Sequence, residues 1–297
     1  MDPYTTDPSK LFSVEGMVVV ITGGGTGIGL MMTKAFAHNG ASKVYIIGRR
    51  KEKLSAAVLE AGSRGNVIPI VGDVTNPQSL QSISSQIQSE AGFINLLICN
   101  SGVYSPSIAN PAQVPISEFV QKAFSQGPEV WNDSFATNST SVAFTAFAFL
   151  PLLHAGNLRG NCAGRQSQIL VTSSIAGYLR NPQAVGAYPV TKAATTHLVK
   201  GLAGALVPYS IRVNALAPGL FPSDLAAELI AKGGTPLKED PCVEGAFAKS
   251  FIPAQRVGSP ADMAGTVLYL ASAAGAYVNG NIQVIDGGRI AIMHGTY

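Results

Sequence analysis

Tyr188 and Lys192 stand four residues apart in Tyr-Pro-Val-Thr-Lys. Residues at that spacing share one helix face, so the phenol and the ammonium can enter the same cleft. A phenol beside a cation can exchange a proton with a substrate oxygen, because the positive charge favours the phenolate. Of the nine tyrosines this one alone has a lysine four positions on, and Thr172-Ser173-Ser174 closes the preceding β-branched run. Hydroxyls therefore fall near the same edge. The Tyr-Lys pair by itself is a common surface pattern, and its weight comes from this context.

A second signal is Thr22-Gly23-Gly24-Gly25-Thr26-Gly27-Ile28-Gly29, directly after an apolar run and opening a helical pattern. A glycine turn there lets the backbone approach a pyrophosphate, whose charge meets free N–H groups at the helix start. The candidate contacts are Gly23, Thr26, Gly27 and Ile28. A tight strand-to-helix turn without a ligand would use glycine too, but the strand-turn-helix setting favours a dinucleotide.

The end of the next strand bears on which dinucleotide. A ribose 2′-hydroxyl calls for a carboxylate there, and a 2′-phosphate calls for arginine. The sequence reads Gly48-Arg49-Arg50, and a planar guanidinium can meet phosphate with two hydrogen bonds. This predicts NADP(H), against the alternative of a solvated helix start that happens to be basic. Asp73-Val74 and Asn100-Ser101-Gly102 follow the third and fourth strand candidates, where open α/β sheets hold their ligands. Each is also an ordinary turn sequence.

The elements that must position these residues are short apolar strands at 17–21, 44–47, 67–71, 94–99, 168–172, 211–216 and 282–285. Helical patterns lie between them, at 29–38, 77–91, 185–207 and 260–272. Strands that are nearly all apolar rather than alternating imply a sheet covered on both faces, and strand-helix repetition implies a doubly wound α/β architecture in one domain. Segments 104–128 and 155–166 read as surface-loop insertions, and 220–252 as a mobile lid over the substrate. With 297 residues, 46% hydrophobic and 12% charged, the chain can build a large core. A net charge of +3 gives no basis for nucleic-acid binding. The N-terminus lacks the pattern of a signal peptide, and the most apolar stretch, 142–153, is too short to span a bilayer and contains Pro151. Three cysteines and four histidines without ligand spacing suggest neither disulfides nor a metal. A cytoplasmic location is the expectation.

Taken in order, these signals resemble the short-chain dehydrogenase/reductase family. The resemblance runs from about Val14 to Gly288 and includes Val-Asn-Ala-Leu-Ala-Pro218-Gly219 and Asp286-Gly287-Gly288. It implies a Rossmann-type, mostly parallel seven-stranded sheet and a nicotinamide-dependent exchange between ketone and secondary alcohol. It also implies roles: Tyr188 as proton donor, Ser174 holding the carbonyl oxygen, and Lys192 binding the nicotinamide ribose while lowering the phenol pKa. Asn138 would support a proton-relay water. Asp73, Val74, Asn100, Gly102, Pro218 and Gly219 would line the cofactor site. The match has departures. The usual Asn-Asn-Ala-Gly reads Cys99-Asn100-Ser101-Gly102, and after Pro218-Gly219 the nearest hydroxyl is Ser223, an expected cofactor contact. The interval from Ser174 to Tyr188 is slightly long, which leaves Ser173 as an alternative.

A non-redox catalyst or a nucleotide-binding scaffold on the same fold remains an alternative to a ketoreductase. Leu220, Phe221, Leu225, Leu229, Ile230, Phe247 and Phe251 suit either an apolar, oxoacyl- or polyketide-like ketone or helices packed on the core. The apolar helix 138–153 is richer in Phe and Ala than one buried face requires, which with the resemblance predicts a homo-oligomer, a tetramer or dimer.

Overall fold

The computed structural model describes residues 2, 4–62, 64–180, 185–233 and 238–296. Seven strands, β1 (Val18–Thr22), β2 (Lys43–Gly48), β3 (Val67–Val71), β4 (Leu96–Cys99), β5 (Gln168–Thr172), β6 (Arg212–Pro218) and β7 (Ile282–Ile285), form one sheet. Their order is 3-2-1-4-5-6-7, and every adjacent pair is parallel. The chain winds outward from β1 in one direction and then from β4 in the other. The crevice between the C-terminal ends of β1 and β4 is the switch point where such sheets bind ligands.

Alternation along each strand sends side chains to two separate cores. Val18, Val20, Tyr45 and Ile47 face one core, where Leu80 and Ile87 of α4 (Pro77–Glu90), Phe149 and Leu153 of α7 (Ser141–Arg159), and Val199 of α8 (Ala187–Ala205) meet them. Val19, Ile21, Val44 and Ile46 face the other, with Met32 and Phe36 of α2 (Gly27–His38), Leu54 of α3 (Lys51–Glu60), and Met263 and Val267 of α10 (Pro260–Ala271). The doubly wound parallel sheet expected from the sequence is the observed fold, and the seven strand candidates lie within two residues of the observed strands. A short helix, α1 (Pro8–Leu11), precedes the sheet.

Two expectations need correction. Segment 104–128 is not loop throughout. It contains α5 (Ile116–Ser125) and the start of α6 (Gly127–Phe135), which continues through a π-helical turn, Ala136–Thr140, into α7. Segment 155–166 begins as the last turn of α7, which stops at Gly160 in the left-handed conformation (φ 65°). The helical run 127–159 is long and apolar enough by composition to cross a membrane, unlike the short stretch considered above. It lies along the sheet here and gives Val142, Ala146, Phe149, Leu152 and Leu153 to the core.

Segment 220–252, of which 234–237 lie outside the described residues, is packed at its C-terminal end. Ala246, Phe247, Ile252 and Val257 form a small core, with Leu220, Ile230, Cys242 and Phe251 packed on it. Arg289 stands 4.2 Å from the Phe251 ring centroid and donates to the Phe251 carbonyl (2.9 Å). This end of the segment is built into the protein. Pro222 to Ala226 and α9 (Ala227–Lys232) carry fewer buried side chains.

Candidate active site

Packing forces the glycine turn between β1 and α2. Gly23 has φ +67°, and a Cβ there would lie 3.0 Å from Asn100 Nδ2 and 3.2 Å from Ser101 Cα. A side chain at Gly29 would collide with the Gly23 carbonyl. Thr26, the N-cap of α2, makes no side-chain cap bond, so the first-turn N–H groups of a twelve-residue helix are left for an anion. Likewise α3 starts from Arg50 with no side-chain cap.

The turn is braced from β4. Thr22 Oγ1 accepts from the Asn100 and Ser101 amides (3.0 and 3.1 Å). Asn100 Nδ2 donates to the carbonyls of Thr22 (3.1 Å) and Gly23 (3.4 Å), while its Oδ1 accepts from Thr172 Oγ1 (3.1 Å). Asn100 thus lines the cleft, but its amide ties β1, β4 and β5 together at their C-terminal ends.

A cleft of about 440 Å³ opens there. Around it the structure brings together Gly23, Thr26, Gly27, Ile28, Arg49, Arg50, Asp73, Val74, Asn100, Gly102, Ser173, Ser174, Tyr188, Lys192, Pro218, Gly219 and Ser223. These are all the residues expected from the sequence except Asn138, which lies just behind. Sequence reasoning did not assign Lys53, Thr75, Ser101 or Val103 to the cleft, where they stand beside expected residues. Of the seven apolar candidates in 220–252, only Phe221 and Leu225 reach the cleft. Phe247 is buried in the small core, and Phe251 packs on it.

Arg49 and Arg50 are exposed, with no carboxylate at ion-pair distance among the described residues. Asp73 Oδ1 accepts from the Thr75 amide (2.9 Å) and hydroxyl (2.7 Å). Burial acts to raise the Asp73 carboxyl, but those hydrogen bonds and the Arg49 charge outweigh it, and the group lies below its usual range.

At the far end of the cleft, Lys192 is buried and donates through Nζ to the Thr172 carbonyl (2.9 Å), 5.8 Å from the Tyr188 ring centroid. Burial alone pushes its pKa down to about 8. Burial raises the Tyr188 phenol, the hydrogen bond from Ser174 lowers it, and the Tyr104 phenol raises it further. Burial dominates this balance, so in the protein alone the phenol lies above its usual range.

The structure also separates the two serines. Ser173 is buried against α8, bonded to the Lys192 carbonyl (3.0 Å) and to Thr196 Oγ1 (2.9 Å). Ser174 is the one beside Tyr188, and it accepts from the Ala176 amide (3.1 Å).

Asn138 sits in the π-helical turn, a distortion that recurs at functional sites. The Val103 amide donates to its Oδ1 (2.8 Å), and its Nδ2 donates to the Val103 carbonyl (2.9 Å) and to Thr191 Oγ1 (3.1 Å). Its own carbonyl accepts from Thr195 Oγ1 (2.7 Å). The side chain is therefore spent on clamping the loop after β4. That loop presents Tyr104, whose ring lies 5.3 Å from the Tyr188 ring at 60°. Sequence reasoning missed Tyr104, since nothing local marks a tyrosine two residues after Gly102.

A profile described as short chain dehydrogenase matches residues 17–233. The chain belongs to the short-chain dehydrogenase family. It is 43% identical over 290 residues to the short-chain dehydrogenase/reductase PhomF of Diaporthe leptostromiformis, covering 97% of this chain and 96% of that protein. It is 29% identical to a rhamnolipids biosynthesis 3-oxoacyl-[acyl-carrier-protein] reductase of Pseudomonas aeruginosa, covering 97% and 99%. Among solved structures, the Pseudomonas aeruginosa RhlG/NADP active-site complex superposes with a TM-score of 0.76 at 29% identity, over 94% of this chain and 98% of that one. The short-chain dehydrogenase is thus an oxidoreductase by family, of a fold that binds nicotinamide cofactors.

Proposed function

We propose that this short-chain dehydrogenase uses NADP(H) to interconvert a ketone and a secondary alcohol, acting as a reductase of an oxoacyl- or polyketide-like carbonyl. The observation carrying this reading is the convergence of Ser174, Tyr188 and Lys192 at one end of a cleft whose other end is a glycine turn. The residues fit a dinucleotide: Gly23 and Gly29 leave no room for side chains, and the uncapped start of α2 offers N–H groups to a pyrophosphate. Arg49, Arg50 and the uncapped start of α3 suit a 2′-phosphate, with no carboxylate at the end of β2 to repel it. That the superposed Pseudomonas protein forms an NADP complex supports the same choice.

When bound, the nicotinamide supplies the hydride. The chain's own residues supply the proton and the polarisation. Ser174 donates to the carbonyl oxygen as negative charge develops, and Tyr188 Oη delivers the proton. Lys192, fixed by Thr172, orients the ribose and places positive charge beneath the phenol. A free phenol titrates near 10, and transfer at neutral pH needs a depression of roughly three units, about 4 kcal/mol. In the protein alone burial opposes this, so the depression has to come from the assembled site.

The substrate enters beside Tyr104. With Phe247 and Phe251 turned into a small core, the apolar wall of the substrate site falls to Phe221, Leu225, Val103 and the Tyr104 ring. The part of 220–252 that closes over substrate is the stretch from Pro222 through α9. The reductase of the rhamnolipid pathway, named for a 3-oxoacyl substrate, supports a carbonyl of that kind. We also assign a homo-oligomer, because α7 exposes Phe144 and Phe147 and α5 exposes Ile116 and Phe124. Substrate-dependent loss of NADPH absorbance with β-oxoacyl and aromatic ketones tests the reading. Tight NADPH binding with no turnover across such a panel would favour the scaffold alternative.

A further inference from the structure

A second cavity, of about 660 Å³, lies at the N-terminal edge of β5, β6 and β7, across the sheet from the cleft. Its lining includes Arg165, Gln166, Ser210, Arg212, Tyr277 and Asn279, with no aspartate or glutamate among the described residues. We propose that it is a binding site for a small phosphate-type oxyanion, held between Arg165 and Arg212.

Arg212 is only 4% exposed, yet all its partners are uncharged. Its guanidinium donates to Gln168 Oε1 (2.7 Å) and to the carbonyls of Gly275 (3.0 Å), Val278 (3.0 Å) and Leu270 (3.5 Å). Its Nε is buried without a hydrogen-bond partner, and so are Arg165 Nε and Ser167 Oγ. Arg165 and Arg212 line this same cavity, whereas Ser167 Oγ turns away from it toward Gly156 of α7. Burial pushes the Arg212 pKa down to about 10, and the Arg165 charge adds to the effect.

Unsatisfied buried donors and two unneutralised guanidiniums are each costly, and one group can relieve both. A neutral ligand would meet the donors but leave the charge, and a metal cation would add to the repulsion. An oxyanion accepts from both guanidiniums and offsets their charge, and phosphate matches their forked geometry. None of these residues touches the dehydrogenase cleft, so the inference stands apart from the proposed activity.

The test is thermal unfolding of the whole chain with inorganic phosphate replacing chloride at constant ionic strength. Binding to the folded state alone raises Tm by about 2–4 °C when phosphate reaches roughly ten times its Kd. The expected pattern is a rise in the wild type and in the Arg49→Ala/Arg50→Ala variant, which lacks the residues proposed to hold the 2′-phosphate, and none in Arg165→Gln. Arg165 is partly exposed and its replacement keeps the amide donors, so the variant is expected to fold, as circular dichroism would check. No rise in the wild type, a rise that survives Arg165→Gln, or one that disappears in Arg49→Ala/Arg50→Ala overturns the assignment.

Discussion

Replacing Asn138 by alanine removes the clamp that holds the loop after β4, and the cost can be worked from its bonds. Three hydrogen bonds vanish, two to Val103 and one to Thr191. Thr191 keeps its bond to the Tyr188 carbonyl (2.7 Å), so it is not stranded. The Val103 amide and carbonyl are stranded, half-buried in the loop. At about 1 kcal/mol per net hydrogen bond, and up to about 3 for a stranded buried group, the expected loss is roughly 2–4 kcal/mol. For a chain of this length that lowers Tm by roughly 3–6 °C. Asn138→Asp should fall between, because its carboxylate still accepts from Val103 N–H but cannot donate to the carbonyl. Turnover should fall in parallel, since the released loop carries Tyr104 against Tyr188. Urea unfolding of the three proteins measures the effect. An Asn138→Ala protein within about 0.5 kcal/mol of wild type would show that the clamp is not a structural element.

Three further outcomes follow from the same geometry. Lys192 has a folded pKa of about 8 against about 10.4 unfolded, so between those values the unfolded chain binds a proton that the folded chain does not. Unfolding free energy therefore gains from Lys192 as pH rises through that window; Lys192→Met should lack the gain in urea titrations from pH 8 to 10, and parallel profiles would refute it. Arg49→Ala with Arg50→Ala should weaken NADPH binding at least about tenfold while leaving NADH alone, as expected from losing charge-assisted phosphate contacts; unchanged affinity in calorimetric titration would remove the case for the 2′-phosphate. Light scattering at micromolar concentration should give a mass of two or four chains, reduced by Phe144→Asp, and a monomeric wild type would contradict the oligomer.

Much of the site could be read in the sequence because backbone geometry dictates it. Gly23 and Gly29 are required by a turn that admits no Cβ, and the helical period alone brings Tyr188 and Lys192 together. The strands were legible because burial on both faces leaves them mostly apolar. What escaped depends on contacts distant in sequence. The choice between Ser173 and Ser174 rests on Thr196 and the Lys192 carbonyl, which no local pattern reveals. Phe247 and Phe251 read equally well as substrate wall or as core, and Arg289 and Ile252 decide for core. Helix α5 did carry a legible signal, the helical period of Ile116, Phe119, Val120, Ala123 and Phe124, which the reading of 104–128 as loop overlooked.

The central claim is that Tyr188 moves the proton, and Tyr188→Phe tests it most directly. The substitution keeps the ring that packs against Tyr104 and leaves the glycine turn, Arg49 and Lys192 in place. Measured with NADPH and a competent ketone, turnover should fall by about 10²–10⁴-fold, the usual range for a lost general acid, while cofactor affinity by titration stays at the wild-type value. Turnover near that of the wild type would contradict the mechanism.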